Sequence, residues 1–197
     1  DLSAADSADV RLLAGQLAVL EGMSARSEGH IERALELCHQ AMEALPDHEG
    51  FWSPFAGTIL ALAYQQAGDP RAALPILREG CRRSRRAGDR FMTVIQYNVL
   101  GDIEMALGLL HQAETTYREA LLVADGQGVR SIGGIYAGLG ALLYEWNRAH
   151  EARQHLETGL DLSVRYAHFD SHWRVSRTLT NINLMQGALH PIRDLLS

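Results

Sequence analysis

The chain has 197 residues, a formal net charge of −6 at pH 7 and a hydrophobic fraction of 47%. All 18 basic residues are arginine, which excludes a Walker A phosphate loop, a Schiff-base lysine and a Ser-x-x-Lys nucleophile pair within these residues. The acidic balance argues against direct nucleic-acid contact by this segment, and the absence of any apolar run long enough to span a bilayer argues against a membrane segment.

Residues 1–8 read as a tail or as the end of a preceding repeat. From there the apolar spacing predicts ten helices, at about 9–27, 30–45, 53–67, 70–87, 90–107, 110–125, 129–146, 148–166, 171–186 and 188–196. They fall into pairs because one pattern recurs every 39 or 40 residues: a small residue, a turn residue seven on, an apolar residue five later, and a small residue seven after that. The sets are Gly22/Gly29/Ala34/Ala41, Ala61/Gly68/Ala73/Gly80, Gly101/Gly108/Ala113/Ala120, Gly140/Asn147/Ala152/Gly159 and Thr180/Gly187/Ile192. Small residues at matching heights let two antiparallel helices approach closely, and spacing that never slips points to an all-α, helical-hairpin solenoid. The repeats run about 9–46, 51–88, 90–126, 129–168 and 171–197, the last incomplete, in one domain. With no initiator methionine and an unfinished fifth repeat, the chain reads as a piece of a longer protein.

Local chemistry agrees with the pairing. Glycine, or Asn147 in the fourth copy, occupies each turn, where a left-handed backbone is expected. In Gly68-Asp69-Pro70, Asp69 is placed to cap the next helix and Pro70 to open it. Pro75 lies about one turn inside that helix and is expected to kink it or delay its regular start. The cluster Arg82, Arg83, Arg85 and Arg86 suits a solvated helix end. Cys38 and Cys81 lack CxxC spacing and read as buried, reduced thiols of a cytoplasmic protein. No HExxH is present among the nine histidines, and His150 and His155 fall off a common face; His168 and His172 straddle an expected turn. Neither a metal site, a cofactor motif nor a catalytic constellation is legible, so the chain is not expected to be an enzyme.

Ala61 followed by Tyr64, a turn glycine and two spaced alanines, with Pro46 after a second helix, resembles the tetratricopeptide (TPR) pattern at a longer period than its usual one. Leu143-Tyr144-Glu145-Trp146-Asn147 followed by Glu151-Ala152, His155-Leu156 and Gly159-Leu160 is similar to a stretch of the MalT-type and other large ATP-dependent regulators of the LuxR family. The resemblance implies a right-handed superhelix that serves as the sensor between an N-terminal ATPase and a C-terminal helix-turn-helix. It also implies that the first helix of each repeat lines a concave groove.

On that basis the groove rows include Ile95, Asn98, Asp102 and Met105; Gly134, Ala137, Ala141 and Tyr144; and Arg174, Arg177, Asn181 and Leu184. The candidate ligand-binding residues are Asn98, Asp102, Tyr144, Arg174, Arg177 and Asn181, around a floor left bare by Gly134, Ala137 and Ala141. Gly133, Gly134, Gly138 and Gly140 are costly in a helix and require compensation, by close packing or by a ligand against the backbone. Tyr144, Trp146 and Leu143 read more readily as packing residues than as ligand contacts. The function implied is that of a ligand-sensing, protein-binding or self-associating segment of a transcriptional activator with a small-molecule effector, carbohydrate by analogy with MalT. The alternative is a generic peptide-binding TPR adaptor, for which Arg177 and Asn181 have the spacing of half a carboxylate clamp. The exposed ends Leu189, Ile192, Leu195 and Leu196 are expected to seek a partner.

Overall fold

The structure is a computed structural model that describes residues 2–46, 50–124, 132–165 and 169–185, the side chains of 2–7, 169–171 and 185 excepted. Among the described residues there are nine α-helices and no strand. They are α1 (Leu2–Ser27), α2 (Ile31–Ala44), α3 (Trp52–Gln66), α4 (Pro70–Arg86), α5 (Arg90–Ala106), α6 (Leu110–Ala124), α7 (Ile132–Glu145), α8 (Ala149–Arg165) and α9 (Phe169–Met185). Most ends fall within one or two residues of the sequence expectation. At the N-terminus the expected tail is instead helical, since α1 starts at Leu2. The tenth helix, with Gly187, Leu189, Ile192, Leu195 and Leu196, lies outside the described residues.

The turns follow the left-handed conformation that the pattern calls for. Gly68 has φ 83°, and Asn147, a non-glycine residue, has φ 58°. At each, the backbone closes the same way: Asp69 N–H reaches Tyr64 C=O and Gly68 N–H reaches Gln65 C=O, while Arg148 N–H reaches Leu143 C=O and Asn147 N–H reaches Tyr144 C=O. Asp69 then caps α4 by accepting from Ala72 N–H at 3.2 Å, with Pro70 in the first helical turn. Pro75 does not delay the helix, which runs from Pro70 through Pro75 to Arg86.

The chain packs as two compact units, Asp1–Val99 and Leu100–Ser197, with the boundary inside α5. In the first, α1 packs on α2 and also on α3, α2 on α3, and α3 on α4. Its core is built from small and aliphatic residues: Ala18 and Val19 of α1, Cys38 and Ala41 of α2, and Ala56, Ile59 and Leu60 of α3. Cys38 and Cys81 are both buried and reduced. Three of the four clustered arginines at the end of α4 are engaged within the chain. Arg82 and Arg83 pair with Glu79, and Arg85 donates to Tyr97 Oη at 3.3 Å.

In the second unit, α7 packs on α6, α8 and α9, and α8 packs on α9. Ile135, Leu139, Leu142, Leu143, Leu156 and Ile182 are fully buried there. Leu143 is thus a packing residue, and the half-buried Trp146 lies against His111, ring centroids 5.1 Å apart.

Along the outer side of α1, Val10, Leu13, Leu17 and Leu20 remain exposed. The positions 39 or 40 residues on from Leu17 and its successors are Ala56, Gln96, Ile135 and Val175, and all four are buried. Further along the same face, Glu21 and Ser24 stand where later repeats hold leucine and other apolar residues: Leu60, Leu100, Leu139 and Leu179, then Ala63, Ile103, Leu142 and Ile182. A helix packed on α1 in the register that later repeats use would therefore bury a carboxylate. The exposed face of α1 is part apolar and part polar.

Candidate functional site

Four elements of the second unit converge on one polar cluster. In the three repeats whose pattern opens on glycine, that glycine faces the side chain sixteen positions later on the paired helix. That partner is Cys38 for Gly22 and Leu156 for Gly140. In the third repeat it is Tyr117 of α6, a far larger residue, and Gly101 of α5 alone does not make enough room for it. Gly138 of α7 supplies the rest. A Cβ on either glycine would collide with the Tyr117 ring, and one on Gly138 would stand 2.6 Å from Oη. Tyr117 is fully buried between them.

The hydroxyl of this ring is delivered to Asp102 of α5, donating to Oδ1 at 2.6 Å. Arg174 of α9 meets the same carboxylate with both arms of its guanidinium, Nη1 to Oδ2 at 2.8 Å and Nη2 to Oδ1 at 2.6 Å. The Arg174 and Asp102 side chains are 31% and 27% exposed, so the fork is shielded yet reachable. Beside it, Thr116 Oγ1 donates to Glu104 Oε2 at 2.7 Å in a buried pair.

Burial first, and the Asp102 carboxylate second, push the Tyr117 phenol well above its ordinary range. Burial alone would lower the Arg174 guanidinium, but the neighbouring Asp102 charge and Tyr117 oxygen raise it. Tyr117 is therefore a fixed donor and Arg174 a fixed cation. Arg174 is a bidentate cation already occupied by an internal carboxylate.

Of the six candidate residues read from sequence, Asp102 and Arg174 are brought into direct contact, and so they do not face each other across open space. Arg177 and Asn181 are exposed and follow Arg174 by three and seven positions on α9, which puts all three along one helix face. Tyr144 is half-buried near the end of α7. Asn98 belongs to the first unit, where its Oδ1 is buried without a hydrogen-bond partner. Gly134 and Ala137 are buried, while Ala141 is half-buried.

Two of the costly glycines of α7 are explained by packing: Gly138 by Tyr117 and Gly140 by Leu156, whose Cγ would lie 2.5 Å from an added Cβ. Tyr117 is not among the candidate residues read from sequence. The signal was present in its place sixteen residues after Gly101, where the other repeats carry Cys38, Leu77 and Leu156.

Residues 15–196 match a family model described as the MalT-like TPR region. Comparison with curated protein sequences finds no match. Among solved structures, the chain is similar to the TPR-like repeats of a candidate kinesin light chain from Podosopora anserina, at 15% identity and a TM-score of 0.68, covering 91% of this chain and 90% of that one. It is similar to a thermophilic TPR protein of Thermus thermophilus, at 20% identity and a TM-score of 0.66, covering 92% and 88%. It is also similar to a Rap protein complexed with competence and sporulation factor, at 14% identity and a TM-score of 0.69, covering 96% of this chain but 51% of that one. At these identities the likeness is one of fold, a TPR-like repeat of helical hairpins.

Proposed function

The chain belongs to the MalT-like TPR family, and from that membership we propose that it is the ligand-sensing and protein-binding segment of a bacterial transcriptional activator. The observation that carries the proposal is the family match over residues 15–196. Within the second unit, Arg174, Arg177 and Asn181 are the groups for a polar effector, anionic or polyhydroxyl, with Asp102 as the internal competitor for Arg174. Such an effector favours a conformation in which Arg174 leaves Asp102, provided that it binds that conformation more tightly than the paired one. Since Tyr117 depends on the same carboxylate, releasing Arg174 also disturbs the packing between α5, α6 and α7. A local polar exchange would thus reach the helices that carry the repeat contacts.

The apolar stripe of Val10, Leu13, Leu17 and Leu20 supports the protein-binding half of the proposal, as a surface for a partner or a second copy. The test is sedimentation of the full-length protein with nucleotide, alone and with a panel of oligosaccharides and acidic peptides. A shift in assembly state with one class of compound is expected. An unchanged state across the panel, in protein shown to be folded, would oppose the sensing role.

A further inference from the structure

A second feature, in the first unit, is a cleft of about 460 Å³ bounded by α2, α3, α4 and the start of α5. Met42, Pro54, Gly57, Ile76, Gly80 and Gln96 line it. Its origin is legible in the repeat register. Gly57 stands where the next two repeats carry Tyr97 and Tyr136, and Ile76 and Gly80 stand where the fourth repeat carries His155 and Gly159.

In the second unit that register is filled. The Tyr136 ring lies against the His155 ring, centroids 5.9 Å apart, and its Cβ is 3.1 Å from where a Cβ on Gly159 would stand. The Tyr136 side chain thus starts beside the small residue of the second helix and lays its ring against His155. In α3 the same position is Gly57, which supplies no ring to the cleft. A Cβ on Gly57 would have Ile76 Cγ2 at 3.5 Å and Met42 Sδ at 4.0 Å, ordinary contacts that leave the position free to carry a side chain.

The walls are set in advance. Gln96 is buried, donates from Nε2 to Pro54 C=O at 3.2 Å and accepts at Oε1 from Ser84 Oγ at 2.9 Å. A Cβ on Gly80 would meet Gln96 Nε2 at 2.5 Å, so that glycine leaves room for the amide. At the cleft margin Glu79 accepts from Arg83 Nε at 2.7 Å, which sets charged groups beside an apolar floor. The volume sits toward the lower end of the roughly 300–1,000 Å³ of small-molecule sites. It suits a ring with its flanking peptide groups.

We propose that this cleft binds an aromatic side chain of a peptide partner, in the place that Tyr136 takes within its own repeat. The ring would rest on Ile76, Met42 and Pro54, and the partner's backbone would reach the charged margin. This site is independent of the effector groups on α9, and its failure would leave them untouched.

The test is protein-observed NMR on the nitrogen-labelled chain, titrated with N-acetyl-tyrosine amide, N-acetyl-alanine amide and p-cresol. Saturable shifts at Gly57, Ile76, Gly80 and the Gln96 side-chain amide are expected with the tyrosine amide. Binding of the alanine amide and of p-cresol should be weaker by roughly tenfold or more. Gly57→Tyr supplies the ring from within and should abolish the shifts while leaving the helical circular dichroism and melting temperature unchanged or higher. If Gly57→Tyr does not fold, Gly57→Leu, a smaller filling, should still weaken binding several-fold. No saturable shifts in the unaltered chain, shifts indifferent to filling at Gly57, or equal binding of p-cresol would each overturn the proposal.

Discussion

Arg174 grips both carboxylate oxygens of Asp102, at 2.6 and 2.8 Å, across 72 positions of sequence, and thereby fixes α9 to the end of α5. Asp102 also accepts from the buried Tyr117 hydroxyl, so one carboxylate satisfies two donors. Asp102→Asn removes the charge that both donors use. Allowing for the partial exposure of the pair, it should destabilise the chain by about 2–3 kcal/mol. Tyr117→Phe should cost about 1–2 kcal/mol, and the two changes together less than their sum, because they share one interaction. Urea denaturation monitored by circular dichroism checks all three. Strict additivity would mean that the two contacts are energetically separate.

Tyr117 and Gly138 make a second pair. Gly138→Ala gains helix propensity but drives a Cβ into the tyrosine ring, so a net loss of about 1–3 kcal/mol is expected. Tyr117→Leu, which installs the residue that the sister repeats use at Leu77 and Leu156, should recover most of that loss in the double variant. Thermal melts of the two single variants and the double one decide it. A Gly138→Ala variant as stable as the parent would show that the ring moves aside at no cost.

The repeat is the part of the molecule most legible in the sequence. Spacing alone places the turns, and Gly68 and Asn147 adopt the left-handed backbone that their side chains suggest. Helix ends follow closely because glycine turns and the Asp69 cap are local signals, carried by residues adjacent in the chain. Asp102 and Arg174 were both legible as polar groups on first helices, but not their contact. Whether two charges flank a space or close it depends on side-chain reach across repeats, which periodicity does not encode. Tyr117 was hidden for a related reason: an aromatic on an apolar face looks like any core residue until the glycines opposite are aligned with it. The bare floor expected at Gly134 and Ala137 is buried, since a small side chain invites a neighbour as readily as it leaves a gap.

Cys38 gives a pH prediction. Burial pushes its thiol up to about 11, with Arg26 pulling the other way. The unfolded thiol loses its proton at lower pH than the folded one, so between about pH 9 and 11 the native state binds more protons and stability falls as pH rises. The loss should approach about 2–3 kcal/mol at the top of that window and be absent from Cys38→Ala. Denaturation at a series of alkaline pH values compares the two. Below about pH 8, Cys38 should react with a thiol reagent only as fast as the chain opens.

The turns supply a further contrast. Gly68→Ala places a side chain at φ 83° and should cost about 1 kcal/mol, although no atom lies within 4 Å of the new Cβ. Asn147→Gly should be neutral or slightly stabilising, since it relaxes a left-handed position held by a non-glycine residue. Melting temperatures of opposite or unequal displacement would support this; equal losses would point to side-chain contacts of Asn147 instead.

The most direct test of the sensing role is a transcriptional reporter in cells carrying the full-length gene, grown on a panel of oligosaccharides and peptides. Arg177→Ala and Asn181→Ala are the variants to compare, because both residues are exposed and outside the Asp102–Arg174 fork. The account predicts induction by one class of compound in the parent, with the required concentration raised roughly 5- to 150-fold in the variants, the shift that follows from losing about 1–3 kcal/mol of a charge-assisted or polar contact. Parent-like induction curves from both variants, at equal folded protein levels, would contradict it.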